Sequence, residues 1–182
     1  MRLSLGTQKW IYGIIILVLL IFIGRLWYVK LGGTEKIAIH ILKGKTIYII
    51  GKYFKGYYAH PTIKRIWEES KILVEEGKIP GDLIVVNFEN DSLKGDEVEQ
   101  FIGVTVKGNM AEVPVEFEVR KFQINNKMVA YLTMHPIVRP NPAEIMEKFQ
   151  KLAKKQGLSL ADYSLEIHFP DNSMQLEVPI LN

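Results

Sequence analysis

The 182-residue chain contains no cysteine. Disulfides, thiolate metal ligands and cysteine nucleophiles are therefore excluded, and either redox compartment is tolerated. No acidic residue precedes Glu35. Surplus basic charge is equally missing from the rest. Arg2, Lys9, Arg25 and Lys30 fall in the first 30 residues, and the remainder holds 19 basic residues against 20 acidic ones. The formal charge of +3 thus belongs to the N-terminal segment. A nucleic-acid surface needs concentrated positive charge in the folded part, so no nucleic-acid partner is expected. His40, His60, His135 and His168 show no paired ligand spacing, and no metal site is expected. There is no phosphate loop, dinucleotide fingerprint or nucleophile elbow, so no cofactor is expected.

What the chain does have is one long apolar run. Trp10 to Gly24 carries no charge, and Ile, Leu, Val and Phe dominate it. Such residues each favour bilayer insertion by about 0.3 to 0.6 kcal/mol. Residues 10–29 as a helix would reach about 30 Å, the thickness of a hydrocarbon core. Trp10 and Tyr12 mark one end, Trp27 and Tyr28 the other, as in an aromatic belt. No small-residue cleavage site follows, which favours a single-pass signal anchor over a cleaved signal peptide. Lys and Arg counts on the two sides favour a cytoplasmic C-terminal domain. The expected organisation is an anchor over 1–30, a flexible linker over 31–35 and a soluble domain over 36–182.

That domain reads as α+β and duplicated, with halves of about 36–108 and 113–182. One helix is expected from Pro61 to near Glu76, another from Pro142 to near Gln156, by their 3.6-residue apolar period. Asn141 and Gly157 bracket the second as caps. Two strand-like runs precede each helix and two follow it, giving ββαββ twice. Asn125-Asn126 has the form of a two-residue hairpin turn between the runs 115–124 and 128–134. Overlaying the halves matches Val85 with Glu166. Alternation is read as turning Ile84, Val86, Phe88, Leu165, Ile167 and Phe169 toward the helices. Val85, Asn87, Glu166 and His168 then face a two-fold groove on the other side.

Lys55-Gly56-Tyr57-Tyr58, Trp67, Pro80-Gly81-Asp82, Glu89-Asn90-Asp91, Glu166-Ile167-His168 and Glu177-Val178-Pro179-Ile180 occur in this order. Over residues 36–181 the chain thereby resembles the GyrI-like effector-binding domains. The resemblance implies a duplicated α+β fold. It also implies an aromatic-lined groove whose buried acid meets cationic or amphipathic ligands. Glu166 falls at that acid's place. The sequence departs from the pattern at His168, where the family has Tyr, and at His135-Pro136-Ile137-Val138, which replaces a second family turn.

The candidate ligand-binding residues are Glu166, His168, Tyr57, Tyr58, Tyr131 and Trp67. The expected function is a membrane-anchored binding domain for a small hydrophobic or cationic molecule. Two alternatives stand beside it. One is a tethered hydrolase with Glu166 as base or nucleophile, because Glu166 and His168 share a strand face. The other is a protein-interaction module without a ligand.

Overall fold

The computed structural model of the chain describes residues 5–107 and 113–181. Arg2, the seam at 108–112 and Asn182 lie outside the described residues. The chain divides into two compact units, Met1–Lys36 with Met134–Arg139, and Ile37–Thr133 with Pro140–Asn182.

The first unit is built on α1, Leu5–Lys30. Its 26 residues make about 39 Å of helix. The stretch Tyr12–Lys30 has a mean hydropathy of 2.2 and is long and apolar enough to cross a membrane. Every side chain from Ile14 to Ile23 is exposed. The helix does not simply fade into a flexible linker. Gly33 N–H donates to Tyr28 O at 2.9 Å and Gly32 N–H to Val29 O at 3.0 Å, the paired bonds of a Schellman cap. Gly32 has φ +83°, which the cap demands and a Cβ would resist. A short 3-10 turn, Pro136–Val138, belongs to the same unit. His135 N–H donates to Leu31 O at 3.0 Å, joining the turn to the end of the helix.

The second unit runs β1 (Ile39–Lys43), β2 (Ile47–Tyr57), α2 (Pro61–Glu75), β3 (Leu83–Phe88), β4 (Glu97–Thr105), β5 (Glu118–Phe122), β6 (Asn126–Leu132), α3 (Pro142–Gln156), β7 (Ser159–Leu160), β8 (Tyr163–His168) and β9 (Met174–Leu181). Both helices begin as their sequences dictate. His60 Nδ1 accepts from Thr62 N–H at 3.2 Å, and Asn141 Oδ1 accepts from Ala143 N–H at 3.0 Å. A proline fills the first turn of each. Helix α2 buries Ile66, Ser70 and Leu73; α3 buries Ile145, Phe149 and Ala153.

The strands form one antiparallel sheet in the order β1-β6-β9-β8-β3-β4-β2-β5, with β7 added beside β9. This order is a palindrome in repeat terms, because β1 corresponds to β5, β2 to β6, β3 to β8 and β4 to β9. The duplication is therefore real, but each half gives away its first strand. β1 pairs with β6 of the second half, and β5 pairs with β2 of the first. The expected hairpin at Asn125-Asn126 is thus replaced by a crossover, since β5 and β6 have different partners.

The crossovers force the sheet to curl. Lys43 and Ile47 are four residues apart, at most about 14 Å of chain. Yet β1 and β2 are six places apart in the sheet order, about 29 Å in a flat sheet. The 44–46 and 123–125 connections meet where the curl closes. Gly44 N–H donates to Asn125 O at 2.8 Å, and a Cβ on Gly44 would overlap the Ile124 carbonyl.

Both faces of the curled sheet are apolar. On one face Val85 and Ile102 pack with Ile66 of α2, bordered by Phe54, Ile63 and Trp67. On the other, Ile49, Ile84, Val86, Phe101, Ile124 and Leu165 form a cluster of strand and connection residues. The facing read from alternation is therefore reversed. Ile84, Val86, Leu165 and Ile167 turn away from α2, while Val85 turns toward it. The run Leu83-Ile84-Val85-Val86 is apolar throughout, so it carries no alternation that could mark its two sides.

Candidate functional site

β3 and β8 join the two halves at the centre of the sheet. Their register pairs Val85 with Glu166 and Leu83 with His168. Residues paired across strands share a face, so Glu166 and His168 lie on the α2 side with Val85. One cross-sheet row reads Ala130, Leu176, Glu166, Val85, Ile102 and Lys52. Glu166 stands in the middle of it.

Three polar side chains meet there. Gln100 Nε2 donates to Asn87 Oδ1 at 2.7 Å, and Asn87 Nδ2 donates to Glu166 Oε1 at 2.7 Å. Asn87 thereby holds one carboxylate oxygen in a fixed direction. The other oxygen, Oε2, is 3.8 Å from His168 Nε2. The Glu166 side chain is 18% exposed and that of His168 27%. Trp67, projecting from α2, meets the His168 ring edge-on at 4.7 Å between centroids. The result is a mostly buried carboxylate beside the His168 ring, which Trp67 covers from α2. Among the described residues its ionisable partner is His168.

Of the residues picked from sequence, Glu166, His168 and Trp67 come together. Tyr57 and Tyr58 do not join them. They are 64% and 65% exposed at the end of β2 and in the turn before α2. Tyr131 on β6 pairs with Gln175 of β9, one residue from Ala130, and therefore points to the sheet face opposite Glu166. Asn87 and Gln100 were missed as site residues. A polar residue inside each of two apolar strands was the available signal. Alternation places Asn87 on the face of Glu166, and the register adds Gln100 beside it.

A separate open hollow of about 650 Å³ is lined by Phe88, Glu89, Asn90, Asp91, Glu99 and Asp162. Its best-held group is Glu99. Asn90 Nδ2 at 2.8 Å, the Tyr53 hydroxyl at 2.8 Å and Lys55 Nζ at 3.0 Å all donate to its carboxylate. These donors bring its pKa from 4.5 down to about 2. A lowered acid value stabilises the fold above the ordinary value, and that contribution is lost as pH falls from about 4.5 through about 2. Glu99→Gln should lower the urea midpoint at neutral pH and flatten its decline over that interval. A variant with the wild-type acid profile would show that Glu99 plays no such part.

No protein-family model matches this sequence, and no curated protein does so. Solved structures do match in three dimensions. A structure described as a hydrolase from Listeria innocua aligns with TM-score 0.55 and 9% identity, over 80% of this chain and 93% of its own. The EcmrR C-terminal domain aligns with TM-score 0.57 and 10% identity, over 80% of this chain and 98% of its own. SAV2435, solved bound to tetraphenylphosphonium, aligns with TM-score 0.54 and 10% identity, over 80% and 94%. With identities this low the likeness is one of architecture alone, an α+β fold with a large antiparallel sheet consistent with the GyrI-like fold.

Proposed function

We propose that this chain is a bilayer-anchored receptor for a small amphiphilic or cationic molecule, with Glu166 as counter-ion. The observation that carries the reading is the Glu166 carboxylate itself. It is mostly buried, fixed by Asn87, beside the His168 ring that Trp67 meets edge-on, and unmatched by a lysine or arginine among the described residues. A desolvated carboxylate beside aromatic faces favours a cation with apolar substituents. SAV2435, which shares the fold, holds such a cation. The anchor is α1, whose length and hydropathy suit a bilayer.

Calorimetric titration of the full chain with tetraphenylphosphonium tests the site. At 4 Å and an effective dielectric of 20 the charge–charge attraction is about 4 kcal/mol. Desolvation of the carboxylate offsets much of it. Glu166→Gln should therefore weaken binding by about tenfold or more, each decade being about 1.4 kcal/mol. Equal affinity in the variant would remove Glu166 from the site.

The Glu166–His168 pair supports a second reading, hydrolysis of an electrophilic compound with Glu166 as base or nucleophile. The Listeria innocua relative is described as a hydrolase. Turnover abolished by Glu166→Gln while ligand still binds would favour this reading over the receptor.

A further inference from the structure

We infer that the turn Pro136–Val138 is a second point of bilayer contact, seated in the headgroup region beside the end of α1. This rests on the reading of α1 as membrane-crossing. The turn is where the sequence departs from the GyrI-like pattern, and nothing in the ligand site uses it. Three consecutive apolar residues, Pro136, Ile137 and Val138, occupy it. Ile137 is 80% exposed, more than any large apolar side chain of α1 among the described residues.

The turn is held in place on the helix. His135 N–H donates to Leu31 O at 3.0 Å, one residue past Lys30. Met134 is buried, and its Cβ is where a Cβ on Gly32 would come within 3.0 Å. The turn is also stiff. His135 Nδ1 accepts from Ile137 N–H at 3.3 Å, and His135 O accepts from Val138 N–H at 3.0 Å. Ile137 is thus presented outward and cannot fold back over its own backbone.

Its level along the helix is that of the interface. Trp27 and Tyr28 lie within about 6 Å of Leu31 along the axis. Such rings sit at the headgroup boundary, and Lys30 there favours anionic lipid. An exposed isoleucine at the same level gains by leaving water. The partner is the bilayer surface into which α1 passes, since Leu31 and the turn are hydrogen-bonded neighbours.

The absence of cysteine makes the test direct. Ile137→Cys, Leu20→Cys and Lys154→Cys are each labelled with an environment-sensitive fluorophore. Each full-length chain is placed in nanodiscs of phosphatidylcholine with phosphatidylglycerol. Position 20 reports the span and position 154 an exposed helix face. The expected result is blue-shifted emission at 137, quenched by lipid carrying a spin label near its headgroup. Position 20 should be quenched by a label deep in the acyl chain, and position 154 by neither. Emission at 137 equal to that at 154, with position 20 in lipid, overturns the contact and leaves the span standing. Water-like emission at position 20 overturns the span, and the contact with it.

Discussion

Residues 37–107 expressed alone are expected to stay unfolded, and mixing them with residues 113–181 is expected to restore structure. The reason is the exchange of first strands. In isolation the first half keeps β2, β3, β4 and α2, but β1 loses β6, β2 loses β5 and β3 loses β8. The cluster on the sheet face away from α2 loses Ile124, Leu165, Phe122, Tyr163 and Ile167 in the same cut. A chain of this size is marginal even with a complete core. What remains exposes apolar side chains and three unpaired strand edges, which invite aggregation. Amide dispersion in NMR spectra of each half and of the mixture decides the matter. A half that folds alone would show that the crossovers are dispensable.

Replacing Gly103 by valine is expected to be the most damaging single substitution in the sheet. Gly103 on β4 faces Gly51 on β2 across the strands. A Cβ on Gly103 would overlap the Ile50 carbonyl oxygen and come within 2.5 Å of Gly51 Cα. Both obstacles are backbone, so no side-chain rotation relieves them. Glycine inside a strand commonly marks a tight bend or close backbone approach, and here β2 and β4 approach closely at the two facing glycines. Overpacking that side chains can absorb costs about 1–3 kcal/mol. Forcing β2 and β4 apart should exceed that range and consume much of the about 5–15 kcal/mol typical of a whole domain. Urea denaturation followed by circular dichroism measures the loss. A midpoint close to wild type would mean that the strands separate at little cost.

Features encoded in short stretches were legible before any coordinates. Trp10–Gly24 announces an apolar helix because insertion energies add residue by residue. His60-Pro61 and Asn141-Pro142 announce helix starts because caps and first turns involve neighbours only. The repeat was visible for the same reason, as were Glu166, His168 and Trp67 as residues with chemistry to offer. Glycines at 32 and 33 suit a flexible tether and a helix cap equally, and their bonds to Val29 and Tyr28 show that they cap α1.

Strand partnership and facing were a different matter. A hairpin over Asn125-Asn126 is the lowest-entropy closure for β5 and β6, and local sequence favours it. The exchange wins because it packs Phe122 and Ile124 against residues far along the chain, among them Ile47, Ile49 and Leu165. Facing failed for a related reason. A strand buried on both sides has no polar alternation, and a shift of one residue moves every side chain to the opposite face. The same parity puts Tyr131 on the face opposite Glu166 and keeps Asn87 beside it. The sequence by itself determined the apolar N-terminal helix, the two helices of the second unit, the duplication and the acid at position 166. Only the tertiary structure decided which strands pair, which face that acid occupies and what holds it, because each depends on contacts between residues far apart in the chain.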